Sequence, residues 1–390
     1  MHEAVIVSAV RTAVAKGKAD GALARAGVSP IDISGLVMKE AVHRSGIDPR
    51  EIDDVVLGCA MPEASQGLNV ARQAALKAGF PVDASAATIN RFCSSGLQSV
   101  ASAAQAVIAG MQDVVVAGGV EMMSQVPMSG YHTRLHPELT ESYIGMGFTA
   151  ERVAERYGVS RQDQDEFALT SQRNAARALA ENAFAGQIVP IPVQRVTWSG
   201  AKKSVTETLF DRDELPRTDT TLEGLAKLRP AFKPTGTVTA GNASPYSDGA
   251  AALVVMSRAR AEALGATPLA RLLGFAVAGI DPDIMGVGPI NAIPKVLKQT
   301  GLTLDRIQLI EFNEAFAAQA VAVARHVGMD LSRVNVNGGA IALGHPLGAT
   351  GAKLSTQLIH ELRKRGGGLG MVTMCVGGGM GAAGVFEVYA

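Results

Sequence analysis

An α/β fold is predicted by three features of the chain. Short apolar runs of strand length alternate with helical patterns from end to end. Glycine is abundant, with 43 residues, and aromatics make up only 4 %, a composition that lets helices lie close on a sheet. The last third of the chain repeats the element order of the first. The alternation reads as a mostly parallel sheet. A length of 390 residues exceeds one ordinary core, so more than one packed unit is expected.

Taken in order, the first part reads as strand 4–9, helix 33–45, strand 54–58, helix 67–78, strand 86–90 and helix 94–109. In that last helix Leu97, Val100, Ala101, Ala104, Val107 and Ile108 form one apolar face. A strand at 113–117 closes on Gly118-Gly119. From 120 to about 238 the chain is more polar and richer in Pro, Arg and Thr, which reads as an insertion carrying specificity. It holds a helix pair at 149–156 and 161–182, the second opened by a capping-box-like Ser160 and Asp163. Pro190, Pro192, the lone Trp198 and the segment 211–219 read as irregular. Strand 250–257 returns to the core. Then follow strand 269–278, helix 289–300, strand 307–311, helix 313–328, strand 334–337, a corner at His345, helix 353–365, and strands 370–375 and 384–389.

The two strand–corner–helix units at 89–107 and 334–362 correspond, the first carrying Cys93 and the second His345. The strand ending Gly118-Gly119 corresponds to the strand ending Cys375-Val376-Gly377-Gly378. The correspondence rests on order, since identity between the halves is weak. A duplicated unit places both corners at the same edge of two adjoining sheets, facing each other.

Composition narrows the partners. Lys+Arg and Asp+Glu are both 36, so a nucleic-acid partner is not expected. A charged fraction of 18 % suggests surface covered by self-association. Cys59, Cys93 and Cys375 are far apart and form neither a disulfide framework nor a CxxC metal site, which fits a reducing compartment. A strand-like run begins at Ala4, leaving no room for a signal peptide, and the chain does not end in Ser-Lys-Leu. No apolar run spans a bilayer. A cytoplasmic, soluble protein without membrane insertion is expected.

Cys93 follows Asn90-Arg91-Phe92 and stands at the start of an amphipathic helix, where the dipole and free N–H groups favour a thiolate nucleophile. The bland alternative is a small buried hydrophobe; Ser94 and Ser95 argue against it. Cys59 ends an apolar strand and is assigned to the core. His345, framed by glycines, is placed to take a proton from Cys93, or else is a structural histidine. His132 and His136 have the spacing of a helical metal pair, but Tyr131 and Pro137 break the helix pattern, so no metal is expected there. Cys375 is a second thiol, on a glycine loop whose N–H groups suit an oxyanion; the alternative is a flexible turn. Gly379-x-Gly381-x-x-Gly384 matches a dinucleotide fingerprint, but no βαβ unit can follow it. Asn313, in Asn313-Glu314-Ala315-Phe316, reads as a helix N-cap or as an amide directed into a site.

Together Asn90–Gly96, Asn313–Phe316, Gly344-His345-Pro346 and Cys375–Gly379 resemble the four signature blocks of the thiolases. Residues 227–232 and 239–251 also resemble thiolase segments, and the resemblance covers the full length. It implies a thiolase-like α/β fold: duplicated βαβαβαββ halves forming a five-layered αβαβα core. The halves would be residues 1–119 with 239–268, and 269–390, with an inserted loop domain at 120–238. By resemblance, Cys93 is the acylated nucleophile, His345 its base and Cys375 the acid/base at the substrate α-carbon. Asn313 orients a water that, with His345, binds the second thioester oxygen, and the N–H groups of Cys93 and Gly377 form the other oxyanion hole. Met146, Phe232, Ala240, Ser244 and Phe316 would contact the pantetheine of coenzyme A, and Arg217 its adenine end.

The implied activity is that of an acetyl-CoA C-acyltransferase working by ping-pong, with CoA and acyl-CoA as substrates and no metal or redox cofactor. The family generally forms homodimers, and a homotetramer is the other possibility. Gly145 and Gly224 stand where many short-chain biosynthetic members have histidine and serine. Arg91-Phe92 and Ser94 look like the degradative members. The preferred reading is thus a 3-ketoacyl-CoA thiolase of fatty-acid β-oxidation; the alternative is a biosynthetic acetoacetyl-CoA thiolase. A ketoacyl synthase is disfavoured because Cys375 occupies the later position, and a silent acyl-CoA-binding module because Cys93, His345 and Cys375 are all intact.

Overall fold

The computed structural model of the chain describes residues 2–128, 130–131 and 134–390; His132 of the spaced histidine pair lies outside the described residues. Nine strands carry the fold. In the first half they are β1 (Ala4–Thr12), β2 (Asp54–Gly58), β3 (Ser85–Ile89), β4 (Val114–Met122) and β5 (Ser247–Ser257). In the second they are β6 (Ala270–Gly279), β7 (Leu309–Phe312), β8 (Gly368–Val376) and β9 (Met380–Val388).

The hydrogen-bonded order is β7-β8-β9-β6-β1-β5-β4-β2-β3. The halves meet at one register pair, Ile6 opposite Ala270. Outward from that seam the first half pairs antiparallel, antiparallel, parallel, parallel. The second half repeats the same series, its last member reduced to the bridge between Ile310 and Val334. The duplication inferred from element order is therefore present in the pairing pattern.

The mostly parallel sheet expected from alternation is corrected to a mixed one. β5 arrives from the inserted segment and not by a helical crossover. β8 and β9 join through a tight turn in which Gly378 and Gly379 adopt φ of 78° and 85°. Short connections of that kind reverse the chain. The strand expected at 334–337 also shrinks to a single bridge. Asn335, with φ of 45°, replaces the missing ladder by its side chain. Its Oδ1 accepts from the Phe312 N–H at 2.7 Å and its Nδ2 donates to the Phe312 carbonyl at 2.7 Å.

Helices Pro30–Ser45 and Val70–Ala78 cover the outer face of the first half; Pro289–Thr300 and Ala317–Val327 cover that of the second. Between the halves lie Ser95–Ile108 and Leu347–Lys364. Their Leu97, Val100, Leu354 and Leu358 pack with Ile6 and Val115 of one half and Val372 and Phe386 of the other. This gives the five layers of an αβαβα core. Full burial of each such side chain stabilises by about 1.5–3 kcal/mol, so the central helices hold the two halves together.

The central helices approach each other through glycine. A Cβ on Gly96 would lie 2.6 Å from the Ala352 nitrogen and 2.9 Å from the Gly348 oxygen. Gly351 likewise has no room for a side chain against Leu97. Their first turns are pressed together, so two positive dipole ends converge on one place.

Within the insertion, helices Met146–Arg156 and Arg161–Ala180 are present, the second with a reciprocal Ser160–Asp163 capping box. The stretch around Pro192 and Trp198 is not irregular as expected. It forms an antiparallel hairpin, Ile191–Ser199 with Lys202–Phe210, turned at Gly200 with φ of 62°. Both strands of a two-stranded sheet are edges, which is where proline is tolerated. Beyond it Asp213 is buried and forms a bidentate pair with Arg11 of β1, at 2.8 and 2.9 Å. Among the described residues, no helix is long and apolar enough to cross a membrane.

Candidate active site

Cys93 sits on the tight turn Phe92–Ser94 in front of the first central helix. Local polar side chains fix that corner. Asn90 accepts from the Phe92 N–H at 2.8 Å and donates to the Ala60 carbonyl at 3.1 Å. Ser95 Oγ accepts from the Arg91 N–H at 2.9 Å. Phe92 is held at φ of 43°, a costly conformation for a bulky residue that concentrates at functional corners.

The chain around Cys93 is apolar: Ala60, Met61, Met123, Val126 and Leu347 pack against it, and the thiol is 1 % exposed. Burial pushes the thiol up to about 12, against the N–H groups of Gly377 and of Cys93 itself, which pull the other way. The helix-start position therefore does not yield a resting thiolate, contrary to expectation. Desolvation outweighs the dipole, and a base must act at the moment of attack. The Gly377 contact also brings the glycine turn after Cys375 onto the Cys93 sulfur. Cys375, at the end of β8, is fully buried; burial first, and then Cys93 beside it, push its thiol well up.

His345 precedes the second central helix, after Gly344 with φ of 84°. Its N–H donates to Ser247 Oγ at 3.0 Å. Its Nδ1 lies 2.6 Å from Thr350 Oγ1, and that hydroxyl donates to the Pro346 carbonyl at 2.9 Å. The single hydroxyl proton is thereby used, so Thr350 accepts from Nδ1–H and leaves a lone pair on Nε2. Nε2 faces Asn313 Nδ2 at 3.3 Å. Burial, and after it the charge of Lys353, hold the imidazole down at about 3, so it is neutral at ordinary pH.

Asn313 follows β7 and is not a helix N-cap; the helix opens only at Ala317. Its N–H donates to the Thr373 carbonyl at 3.0 Å. Its buried Oδ1 has no partner among the described residues. The neighbouring Glu314 points away, accepting from Ser171, Asn335 and the Ile341 N–H. Gly377 and Cys375 thus meet Cys93, while the His345–Asn313 pair adjoins them through Leu347, which packs with Cys93, and through the Asn313 N–H on the Thr373 carbonyl.

Of the residues expected to contact CoA, Phe232 and Phe316 touch each other, and Ser244 and Met146 contact neighbouring site segments. Phe232 packs edge-on against Phe316 with ring centroids 6.2 Å apart. The Ser244 N–H donates to the Ala315 carbonyl at 2.9 Å. Met146 lies over Gly377, whose added Cβ would meet the Met146 methyl at 2.9 Å. Ala240 and Arg217 are exposed, and the Arg217 N–H is tied to Gln172 at 2.8 Å.

Sequence reasoning missed Glu121. This carboxylate is fully buried and accepts from the N–H groups of Ala60 at 2.9 Å, Met61 at 3.2 Å and Gly348 at 2.8 Å, and from Gln66 Nε2 at 2.8 Å. It stitches the first-half turn below Cys93 to the first turn of the helix behind His345. A lone carboxylate in an apolar strand was the available signal. Among the described residues, no group of His, Cys, Asp and Glu is arranged to hold a metal.

A nucleophile-grade corner, a neutral imidazole and a second thiol, all shielded from water, suit acyl transfer through sulfur. Comparison with known proteins agrees. The family model for the thiolase N-terminal domain matches residues 4–259 and that for the thiolase C-terminal domain residues 266–388. The chain is 54 % identical over 394 residues to the 3-ketoacyl-CoA thiolase of Bacillus subtilis (strain 168), covering 100 % of both. It is 48 % identical over 404 residues to the acetyl-CoA acetyltransferase of Escherichia coli (strain K12), covering 99 % of each. The crystal structure of the Bacillus anthracis acetyl-CoA acetyltransferase matches with a TM-score of 0.88 at 44 % identity, covering 100 % of this chain and 99 % of that one. The chain belongs to the thiolase family and is an acyltransferase.

Proposed function

We propose that the protein is a 3-ketoacyl-CoA thiolase, cleaving 3-ketoacyl-CoA with CoA to acetyl-CoA and a shortened acyl-CoA. The observation that carries the chemistry is the Gly377 N–H on the Cys93 sulfur with Cys375 beside it, packed against the Leu347 corner that also carries neutral, buried His345. His345 Nε2 takes the Cys93 proton as sulfur attacks the 3-keto carbon. The N–H groups of Cys93 and Gly377 receive the developing oxyanion. The C–C bond breaks, its electron pair passes to the acetyl-CoA enolate, and Cys375 returns a proton to that carbon. The unpaired Asn313 Oδ1 would hold a water which, with the His345 Nε2–H, binds the enolate oxygen. CoA then takes the acyl group from Cys93. The reverse sequence is a Claisen condensation.

Substrate pantetheine would lie along Met146, Phe232, Ala240, Ser244 and Phe316, with Arg217 at the adenine end. The preference for a 3-ketoacyl-CoA thiolase rests on Gly145 preceding Met146, where many short-chain biosynthetic members have a histidine, and on the likeness to the B. subtilis protein. The likeness to acetyl-CoA acetyltransferases favours the second reading, a biosynthetic acetoacetyl-CoA thiolase. Thiolysis rates decide. A higher kcat/KM for long 3-ketoacyl-CoAs than for acetoacetyl-CoA supports the first; turnover of acetoacetyl-CoA alone supports the second. Self-association into a homodimer or homotetramer is part of the proposal, supported by the exposed edge strand β3 and by exposed Leu135, Leu139 and Tyr143. Sedimentation as a monomer would contradict it.

A further inference from the structure

Gln319 stands in the first turn of the helix Ala317–Val327, whose residues from Ala317 to Ala324 are otherwise buried alanines and valines. It is fully buried. A buried carboxamide among small apolar side chains is unfavourable unless its polar atoms are paired. One orientation pairs both ends: the oxygen accepts from the Ala320 N–H at 2.9 Å, and the nitrogen donates to the Asn313 carbonyl at 3.2 Å. That same nitrogen position lies 3.6 Å from Cys375 Sγ. An amide nitrogen has two protons, so the second is free to point at the sulfur. The side chain is confined from behind, since a Cβ on Gly286 would fall 2.7 Å from Gln319 Cβ.

We propose that Gln319 is a positioning residue for proton transfer at the substrate α-carbon, its amide N–H donating to the Cys375 sulfur when that sulfur is charged. In condensation Cys375 thiolate takes the α-proton of acetyl-CoA, leaving the bonding pair on the enolate; in thiolysis the thiol returns that proton. Both directions pass through a thiolate in a dry site, and a donor lowers its cost. The same amide anchors the Asn313 backbone, so the acid/base thiol and the amide at the enolate oxygen move as one unit. The inference rests on the acid/base role given to Cys375 above.

The experiment compares two exchanges in the full-length protein and in Gln319→Leu and Gln319→Glu. Exchange of labelled CoA into acetyl-CoA reports acyl transfer at Cys93. Exchange of the acetyl-CoA α-protons in heavy water reports the Cys375 step. In Gln319→Leu the α-proton exchange is expected to fall by about 10- to 100-fold, with its pH profile displaced upward and CoA exchange unchanged. In Gln319→Glu, which keeps the side-chain size, the loss is expected to deepen at alkaline pH and to recover as the carboxyl is protonated and donates. Equal loss of both exchanges, or no loss of either, or a loss without displacement of the pH profile, would overturn the inference. If Gln319→Leu does not fold, Gln319→Glu decides by the same criteria. Absence of both exchanges in the unmutated protein would instead sink the proposed function.

Discussion

Thr350 grips the imidazole of His345 from behind, with its hydroxyl 2.6 Å from Nδ1 and committed as a donor to the Pro346 carbonyl at 2.9 Å. One turn of helix thus fixes which ring nitrogen is free. With Thr350→Val the shape is kept and the acceptor is lost. Acyl transfer from acetyl-CoA to Cys93 should fall by about 10-fold, read as labelled-CoA exchange, and Thr350→Ser should restore it. Full activity in Thr350→Val would show that the tautomer is set elsewhere.

Glu121 joins the two halves beneath the site. Glu121→Ala leaves the Ala60, Met61 and Gly348 N–H groups buried and unpaired. Urea unfolding should show a loss of about 3 kcal/mol or more. A change within error would mean that water replaces the carboxylate without cost.

Gly96→Ala tests the close approach of the central helices. Its new methyl would meet Ala352 nitrogen at 2.6 Å, backbone that cannot swing aside. Overpacking should destabilise by about 1–3 kcal/mol and depress acyl transfer more than the same loss placed elsewhere, because both site corners shift. Gly27→Ala, at an open turn with nothing near, is the control for general destabilisation.

The neutral imidazole makes a pH prediction. His345 has its ordinary value near 6.5 in the unfolded chain and about 3 in the fold, held down by burial and then by Lys353. Between those values the unfolded chain binds a proton that the native state does not, so this group lowers stability as pH falls through the window and costs nothing above it. Urea midpoints should drop from pH 7.5 to pH 5 more steeply in the unmutated protein than in His345→Gln. An equal drop would place the histidine proton elsewhere.

Much of the site was legible because its chemistry-bearing residues stand in unusual local contexts. Cys93 precedes a helix, His345 is framed by glycines, and Cys375 leads a glycine turn. The structure brings Cys375 beside Cys93 and sets His345 on the adjoining Leu347 corner. Strand direction was not legible: β5 and β9 read as near-continuous buried runs like any strand covered on both faces, and only their connections make them antiparallel. The hairpin around Pro192 was hidden by its prolines. The supporting polar groups were hidden for a different reason. Arg11, Glu121, Thr350 and Gln319 lie inside apolar strands or helices, and the partners of Arg11 and Glu121 are far away in sequence. Arg11 finds Asp213 and Glu121 finds Gly348 only once the halves have packed. The thiolate expected at Cys93 failed because local dipole reasoning contains no term for the Met61, Met123 and Leu347 side chains that dry the site.

The central claim is that the acyl group is carried by Cys93, and mass spectrometry of the protein quenched after mixing with acetyl-CoA tests it most directly. One acetyl group on the peptide containing Cys93, absent in Cys93→Ala and removed by added CoA, is the predicted result. An acetyl group on Cys375 or Cys59, or turnover without any covalent adduct, would contradict it.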